Sequence, residues 1–408
     1  MPAAPRPVEV VFSHARQGDT PAGDALGAAR LARRFHRTLP EYAPTPLRIL
    51  PNLARRLGVG SLLVKDEAPR FGLAAFKGLG SVWAVARVLG ERLGIPPREL
   101  SLENLRARDA RERLGELTFV TATDGNHGRG LAWAARLLGQ RAQVFMPSGA
   151  AGARVEAIRA QGAHCVVTDL SYDDAVRHAA AHARRAGGIL VQDTAWEGYE
   201  EIPSWIMEGY GTLALEALEQ MAALENSGAP LWPTHIFLQA GVGSFAAAML
   251  GCFSRALWER GVPLPRFVSM EPQAADCVFR SLTAGAPRRV PGGLETLMAG
   301  LSCGEVSSLA WPVLRDGLAA ACACPDGTAR RGMRLLALPE GDDPAVISGE
   351  SGAVGAGLLE WLNGSDGAAA RTALGLGPGA RVLLISTEGA TDPAVWRRIV
   401  GKRPPDAV

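Results

Sequence analysis

Residues 118–139, TFVTATDGNHGRGLAWAARLLG, contain three segments of different character. The first five residues are apolar or β-branched, the centre is rich in glycine, and from residue 127 onward apolar residues recur at helical spacing. This order predicts a buried strand, a tight turn and an amphipathic helix. A strand that leads directly into a helix is the repeating unit of parallel sheets covered by helices.

The same alternation recurs along the chain. Short apolar runs that end in Asp, Pro, Gly or a small polar residue are predicted as strands at 61–67, 118–124, 142–147, 164–169, 189–193, 235–240, 266–272 and 382–387. Segments rich in Ala, Arg and Leu are predicted as helices at 127–139, 172–186, 204–225 and 244–260. The sequence therefore predicts an α/β fold, with ligand sites at the carboxyl ends of its strands.

The composition of the 408 residues argues against several classes of protein. Since 43 basic residues face 41 acidic ones, with a formal net charge of +2, we expect no nucleic-acid partner. No apolar run reaches the ~18 residues of a membrane span, and the start of the chain lacks the apolar core of a signal peptide. Six scattered cysteines do not form a disulfide framework. We therefore expect a cytoplasmic protein without membrane contact.

Lysine is scarce: Lys65, Lys77 and Lys402 are the three in the chain. Arginine cannot form an imine because its guanidinium stays protonated, so any lysine-dependent chemistry uses one of these positions. Lys65 fits an ion pair at a strand end, and Lys402 lies in a polar tail. Lys77 lies in an apolar setting where a helical pattern begins, which favours a neutral, nucleophilic amine. A surface lysine with a buried stem is the alternative.

Three further strand ends carry groups suited to a planar, phosphorylated ligand. Asn126 lies in a turn bracketed by glycines, where its amide can hydrogen-bond a ring oxygen. A second loop precedes a predicted helix, whose N-terminus favours phosphate. That loop consists of Gly241, Val242, Gly243 and Ser244. It completes neither a dinucleotide fingerprint nor a P-loop, so we expect a smaller phosphate ligand. Alone, each feature also fits an ordinary turn.

The third strand end carries Ser386, with Thr387 beside it, and a hydroxyl there can meet a heterocyclic nitrogen. An N-cap or turn is the alternative for these hydroxyls. A lysine amine, an asparagine amide, a phosphate loop and a hydroxyl are together the groups that hold pyridoxal phosphate. We therefore predict pyridoxal 5'-phosphate as the cofactor. We predict no metal site, because His178 and His182, spaced i,i+4, lack a third ligand.

Several motifs carry a resemblance to a known family: AFKGLG (75–80), ATDGNHGRG (122–130), QDTAWEGYEEIPSWIMEGY (192–210), QAGVGS (239–244), EPQAADC (271–277), TLMAGLSCGE (296–305), SGESGAVG (348–355) and STEGATDP (386–393). In these stretches the chain resembles the fold type II (tryptophan-synthase-β-like) pyridoxal phosphate enzymes, and within them the diaminopropionate ammonia-lyases. QDTAWEGYEEIP is the discriminating motif, since general serine/threonine dehydratases lack it.

The resemblance implies that Lys77 is the Schiff-base lysine, that Asn126 contacts the ring oxygen and that Ser386 contacts the pyridine nitrogen. It also implies two α/β domains with parallel or mixed sheets and the active site in the cleft between them. The small domain is expected at 88–200, inserted in a large cofactor domain formed by 1–87 and 201–408. A homodimer is a further implication of the resemblance.

The implied activity is the α,β-elimination of 2,3-diaminopropionate, in its D form, its L form or both, to pyruvate and ammonia. The β-amine of this small-molecule substrate is cationic, so carboxylates are expected near it, and Asp124 and Asp193 lie at strand ends. Each acid could take the α-proton from the face that it reaches, with Lys77 as a further base. An N-cap or turn role is the alternative for both acids. Glu350 is left without a role.

Other interpretations stay open. A serine/threonine dehydratase-like lyase, or a β-replacement synthase, would use the same fold. A non-catalytic ligand-binding regulator is a third possibility, although the intact lysine, phosphate loop and acids count against it. Cys277 and Cys303 lie within the matching motifs and could approach each other. A cytoplasmic setting favours free thiols, but separation in the sequence does not decide their state.

Overall fold

The computed structural model describes residues 7–13, 24–225 and 232–402. Within these ranges the chain alternates strands with helices, as its sequence pattern predicts. The strands are β1 (Glu9–Phe12), β2 (Leu47–Ile49), β3 (Ser61–Asp66), β4 (Thr118–Ala122), β5 (Arg141–Met146), β6 (His164–Val167), β7 (Ile189–Leu190), β8 (His235–Gln239), β9 (Arg266–Pro272), β10 (Leu318–Cys324) and β11 (Arg381–Ser386).

The helices cover the faces of the sheets. They are α1 (Ala25–His36), α2 (Pro51–Arg56), α3 (Gly78–Leu93), α4 (Leu102–Arg106), α5 (Arg108–Leu114), α6 (Asn126–Leu137), α7 (Gly152–Arg159), α8 (Tyr172–Ala186), α9 (Glu201–Glu225), α10 (Ser244–Glu259), α11 (Cys277–Ala284), α12 (Ala310–Gly317), α13 (Asp326–Ala337), α14 (Glu350–Asn363), α15 (Ala368–Leu374) and α16 (Pro393–Val400). No helix in the described ranges is long and apolar enough to cross a membrane.

The strands form two sheets. The larger has the order β1-β10-β9-β8-β11-β3-β2, and its interior pairs are parallel while β1 and β2 pair antiparallel at its edges. The smaller has the order β6-β5-β4-β7 and is parallel throughout. The α/β class is confirmed, and every strand predicted from the sequence forms. The smaller sheet falls inside residues 88–200, but the domain boundaries stay a prediction.

Three strands are absent from the sequence-based prediction, and β10 is the most informative. Its sequence LAAACAC lacks β-branched residues and resembles part of a buried helix. In the structure β10 lies between β9 and β1, and most of its side chains are fully buried. Small side chains suit this position because helices such as α11 and α13 pack on the strand. Tertiary packing therefore overrides the local preference here.

A buried ionic network accounts for Lys65. The Lys65 amine lies 2.9 Å from the Glu216 carboxylate and donates to the Thr45 carbonyl at 2.6 Å. Arg70 donates to the same Glu216 carboxylate at 2.7 Å. The expected ion pair forms, but its partner comes from α9 and not from the acids that follow Lys65 in the sequence. This network ties Lys65 to α9, so it is not available for cofactor chemistry.

Candidate active site

A cavity lies where the carboxyl ends of strands from both sheets meet. Strands β4 and β7 of the small sheet and β8 and β11 of the large sheet end at its wall, the usual position of ligand sites in parallel α/β sheets. The wall includes these residues proposed from the sequence: Lys77, Asp124, Asn126, Asp193, Gly241, Val242, Gly243, Ser244 and Thr387. The structure therefore brings together groups from five separate stretches of the chain.

Lys77 immediately precedes α3 and extends its amine into the cavity. The amine forms an ion pair with Asp193, and it lies 5.5 Å from the ring centre of Phe76 and 5.8 Å from that of Tyr210. Burial alone would lower the pKa of Lys77, but the charge of Asp193 outweighs it and the pKa is raised. The sequence analysis expects a neutral amine from the apolar setting. The structure differs because Asp193, which is distant in sequence, holds the amine as a cation.

The glycine loop between β8 and α10 presents unused hydrogen-bond donors. Gly243 caps α10 with a left-handed backbone, φ 89°, so it favours glycine. Among the described residues, no hydrogen bond is donated by the backbone amides of the loop, namely those of Gly241, Val242, Gly243 and Ser244. Unpaired amides at a helix N-terminus, together with its dipole, form an anion site.

Asn126 begins α6 after a turn at Gly125, which has φ 156°. Its side-chain amide donates to the carboxylate of Glu388, which also accepts from the Ser351 backbone amide at 3.0 Å. Glu388 follows β11 of the large sheet, and Asn126 begins α6, which packs on the small sheet. The hydrogen bond therefore links an element of each sheet. The amide is thereby held at the cavity wall, where it can donate to a bound ring.

The two acids proposed from the sequence differ in ionisation. Burial raises the pKa of Asp124 to about 6, partly offset by the charges of Arg154 and Lys77. Burial alone would raise the pKa of Asp193, but the charges of Lys77 and His127 outweigh burial and lower this pKa to about 2. Asp193 is thus a permanent carboxylate at neutral pH, whereas Asp124 exchanges its proton near neutrality. A group with a pKa in this range suits general acid–base chemistry.

Ser386 and Thr387 differ in their position relative to the cavity. The Ser386 hydroxyl is buried and donates to the Ser348 hydroxyl at 2.8 Å, and Ser386 is not among the residues of the wall. Thr387 does line the wall. The sequence analysis places Ser386 first and Thr387 second for the pyridine contact. Their placement supports the reverse order, while the contact itself stays a prediction.

Several residues of the wall were not proposed from the sequence, among them Tyr172, Gln239, Gly300, Ser351 and Glu388. Glu388 could have been found, because it follows β11 directly after the proposed hydroxyls. Gly300 keeps the cavity open, since a Cβ there would lie 3.2 Å from the Ser351 hydroxyl and 3.8 Å from the Asp124 carboxylate. Gly300 and Ser351 lie within the matching motifs TLMAGLSCGE and SGESGAVG, but only tertiary packing shows that they reach the cavity.

The cysteines near the cavity are thiols. All six cysteines of the chain lie within the described ranges, and each is free and buried. Cys277 donates to the Gly241 carbonyl at 3.3 Å, whereas Cys303 lines the cavity. Burial raises the pKa of both thiols well above its usual value, so they are protonated and unreactive in this arrangement.

The histidines that could suggest a metal site have other contacts. His178 and His182 pack edge-on against Phe145, with ring centres 4.8 Å and 5.0 Å away. Within the described part of the chain, no group of three or more His, Cys, Asp or Glu side chains is arranged to hold a metal ion. Their spacing is therefore explained by packing on β5.

The residues of the cavity fit pyridoxal phosphate. The unpaired amides of the glycine loop and α10 match a phosphate group, and the Lys77 amine can reach an aldehyde. Three buried atoms of wall residues, the Ser351 hydroxyl, the Gln239 side-chain oxygen and His127 Nδ1, have no hydrogen-bond partner within the described ranges. Buried polar atoms without partners are costly, so such atoms at a cavity wall are typical of a ligand site.

Comparison with known proteins agrees with this chemistry. A family model described as "Pyridoxal-phosphate dependent enzyme" matches residues 38–388. A diaminopropionate ammonia-lyase of Salmonella typhimurium is 49% identical over 370 residues, which are 90% of each chain. Its Escherichia coli counterpart is 46% identical over 385 residues, or 94% of each chain. A crystal structure of the E. coli enzyme in complex with D-serine superposes with a TM-score of 0.88, at 44% identity and covering 97% of each chain.

Proposed function

The chain belongs to the pyridoxal-phosphate-dependent enzyme family. Within that family, we propose that it is a diaminopropionate ammonia-lyase. It eliminates the β-amine of 2,3-diaminopropionate, and hydrolysis of the remaining enamine gives pyruvate and releases the α-amine as a second ammonia. The observation that carries this is the identity of 49% to such an enzyme over 90% of both chains. The cavity supports it, because it combines a lysine, an anion loop and two acids.

Each part of the cofactor has a matching group in the cavity. Lys77 would hold the aldehyde carbon, and the amides of Gly241 to Ser244 would hold the phosphate. Asn126 would donate to the ring oxygen, and the Thr387 hydroxyl, with Ser386 as the alternative, would meet the ring nitrogen. When bound, the cofactor supplies an electron sink for the carbanion that removal of the α-proton leaves. A neutral hydroxyl at the ring nitrogen limits charge on the ring, which favours loss of the β-amine.

The two acids and Lys77 move the protons. The carboxylate oxygens of Asp124 and Asp193 each accept the α-proton from the face of the substrate that they reach, an arrangement that would allow both enantiomers to react. Their negative charges also attract the cationic β-amine. Lys77, held as a cation by Asp193 in this structure, becomes a further base when it gives up its proton.

The proposed activity is tested by pyruvate release. The holoenzyme should form pyruvate and ammonia from D- or L-diaminopropionate. Its kcat/KM should be higher than that for the formation of pyruvate from serine or of 2-oxobutyrate from threonine. A serine/threonine dehydratase would show the opposite order of substrates. A β-replacement synthase would release little pyruvate and, once a thiol was added, would form a β-thio-substituted amino acid. A non-catalytic regulator would change its absorbance with diaminopropionate but form no pyruvate.

Replacement of Gly243 by alanine should weaken cofactor binding. A Cβ at this position would meet the Leu314 side chain at 2.7 Å, and the backbone has φ 89°. A strained residue of this kind costs about 1–3 kcal/mol. We therefore expect the affinity for pyridoxal phosphate, measured in an equilibrium titration, to fall at least about tenfold.

Gly261→Ala is the matched control for the Gly243 variant. Gly261 has φ 66°, follows α10 and has open space around its Cα, so the variant carries similar backbone strain away from the cavity. Equal cofactor affinity in the two variants would show that the glycine loop is not the phosphate site.

We further propose a cytoplasmic homodimer with a small domain at 88–200. Support for the homodimer comes from the family resemblance, and support for the domain comes from the small sheet, which lies between residues 118 and 190. Sedimentation of the purified holoenzyme should give the mass of a dimer, and a monomer at micromolar concentration would contradict it.

A further inference from the structure

A second cavity, which we call the outer cavity, adjoins the active-site cavity. The two share Asp124 and Tyr172 in their walls, and adjacent residues continue from one wall to the other at Ala299–Gly300 and Glu350–Ser351. The outer cavity runs between α7, the segment 289–299 and the N-termini of α14 and α16. It is wider and more open than the active-site cavity, so it is positioned as a route for small molecules to the active site.

The wall of the outer cavity is rich in carboxylates. Its ionisable side chains include five acids, Asp124, Asp173, Glu295, Glu350 and Asp392, and two arginines, Arg154 and Arg289. This excess of negative charge favours cationic ligands over anionic ones. Arg289 is already paired, at 3.2 Å from Glu305 and 3.8 Å from Asp173. The charge of the wall therefore favours a cationic ligand. Because Arg289 is paired, Arg154 is the positive group of the wall that is available to a ligand.

Glu350 is the unusual acid of this wall. It is only 2% exposed, and within the described chain its carboxylate accepts a hydrogen bond from its own backbone amide but forms no hydrogen bond or ion pair with another residue. Burial and the neighbouring charge of Glu388 raise the pKa of Glu350 to about 7. A buried carboxylate without a cationic partner is unfavourable, and a cation in the cavity would relieve that cost.

Arg154 lies nearby without a fixed partner. It is on α7 and packs over the turn at Gly125, where its Cδ atom lies 3.0 Å from the position that a Cβ of Gly125 would take. Its charge acts on both Asp124 and Glu350, but no hydrogen bond or ion pair holds its guanidinium in the described residues. A free guanidinium in a cavity is a good partner for a carboxylate.

We propose that Arg154 and Glu350 form a binding site in the outer cavity for amino acids that carry a second, cationic amine. Arg154 binds the α-carboxylate and Glu350 binds the side-chain ammonium. This site rests on the proposed function, since diaminopropionate is the small amino acid with both groups. Serine has the same carboxylate but a neutral hydroxyl in place of the ammonium, so it can use Arg154 but gains nothing from Glu350. The outer cavity thus selects the diamino acid before it reaches Lys77.

The site is tested by binding to holoenzyme whose cofactor has been reduced onto the protein with borohydride, because turnover is then blocked. Calorimetry with L-diaminopropionate and L-serine is compared for the wild type, Glu350→Gln and Arg154→Gln. A charged hydrogen bond contributes about 1.5–3 kcal/mol. We therefore expect Glu350→Gln to weaken diaminopropionate binding about 10- to 100-fold and serine binding less than about twofold. Arg154→Gln should weaken the binding of both ligands.

Glu103→Gln is the matched control, because it removes an exposed acid on α4, outside both cavities, and should leave both affinities unchanged. In turnover assays, Glu350→Gln should raise KM for diaminopropionate and leave kcat near its wild-type value. Equal effects of Glu350→Gln on the two ligands, or an unchanged affinity for diaminopropionate, would overturn the site. If the wild type bound diaminopropionate as described but formed no pyruvate from it, the proposed function would fail and the binding site would stand.

Discussion

Lys77→Ala should abolish pyruvate release from diaminopropionate, with a loss of about 10⁴- to 10⁶-fold in kcat, the usual effect of removing a covalent catalytic group. The physical reason is that Lys77 is the lysine that reaches the cavity. Lys65 is held by Glu216 in a buried ion pair, and Lys402 lies exposed after α16. Arginine cannot take over because it forms no imine. The rate is measured as pyruvate formed by cofactor-saturated enzyme.

Two further variants separate charge from covalent chemistry. Lys77→Arg keeps a cation beside Asp193 and should be as inactive as Lys77→Ala. Lys402→Ala is the matched control and should retain wild-type activity. If Lys77→Arg kept more than about a tenth of the wild-type rate, the amine would be acting only as a charge, and covalent attachment at Lys77 would be excluded.

Asp124→Asn and Asp193→Asn should each lose activity mainly with one enantiomer of diaminopropionate. Removal of a general base typically costs about 10²- to 10⁴-fold in rate. Because the two acids reach different faces in our proposal, the enantiomer that one variant loses should be retained by the other. The measurement is kcat/KM for the D and L forms with each variant. Loss of both enantiomers to the same extent in both variants would contradict the two-face proposal.

The pH dependence gives an independent test of the same assignment. An acid acts as a base only when it is ionised, and the pKa of Asp124 is about 6 while that of Asp193 is about 2. For the enantiomer that depends on Asp124, kcat/KM should fall as the pH drops through about 6. For the other enantiomer, Asp193 stays ionised over this range and imposes no such fall. Asp109→Asn, which changes an exposed acid on α5 outside both cavities, should alter neither profile.

The fold follows from the sequence wherever apolar, β-branched runs form interior strands. Strands β3, β4, β5, β8, β9 and β11 are of this kind, because a strand buried on both faces needs such residues. The edge strands β6 and β7 of the small sheet are partly exposed, but their runs are apolar enough to be predicted as well. The edge strands β1 and β2 are short and partly exposed, so they carry no comparable pattern. Strand β10 is made of Ala and Cys, whose local preference does not distinguish a strand from a helix. Only its neighbours in the sheet fix its conformation.

The candidate site could be predicted where a residue with a suitable functional group also lies at a strand end or a helix start. Lys77, Asn126 and the glycine loop stand at strand ends or helix starts, and parallel strands bring those ends to one edge. The ionisation of Lys77 could not be predicted, because it depends on contact with Asp193, 116 residues away. The same holds for Glu350, whose raised pKa comes from burial and from Glu388. Burial and charge partners are properties of the folded chain.

We propose that pyridoxal phosphate is covalently attached to Lys77, and borohydride reduction followed by peptide mapping is the decisive test. Reduction fixes the cofactor on the amine that holds it, and mass spectrometry of a digest then identifies the peptide. We expect the added mass on the peptide that contains AFKGLG, and none on peptides that contain Lys65 or Lys402. A label on either of those lysines, or protein that takes up no cofactor at all, would contradict the claim.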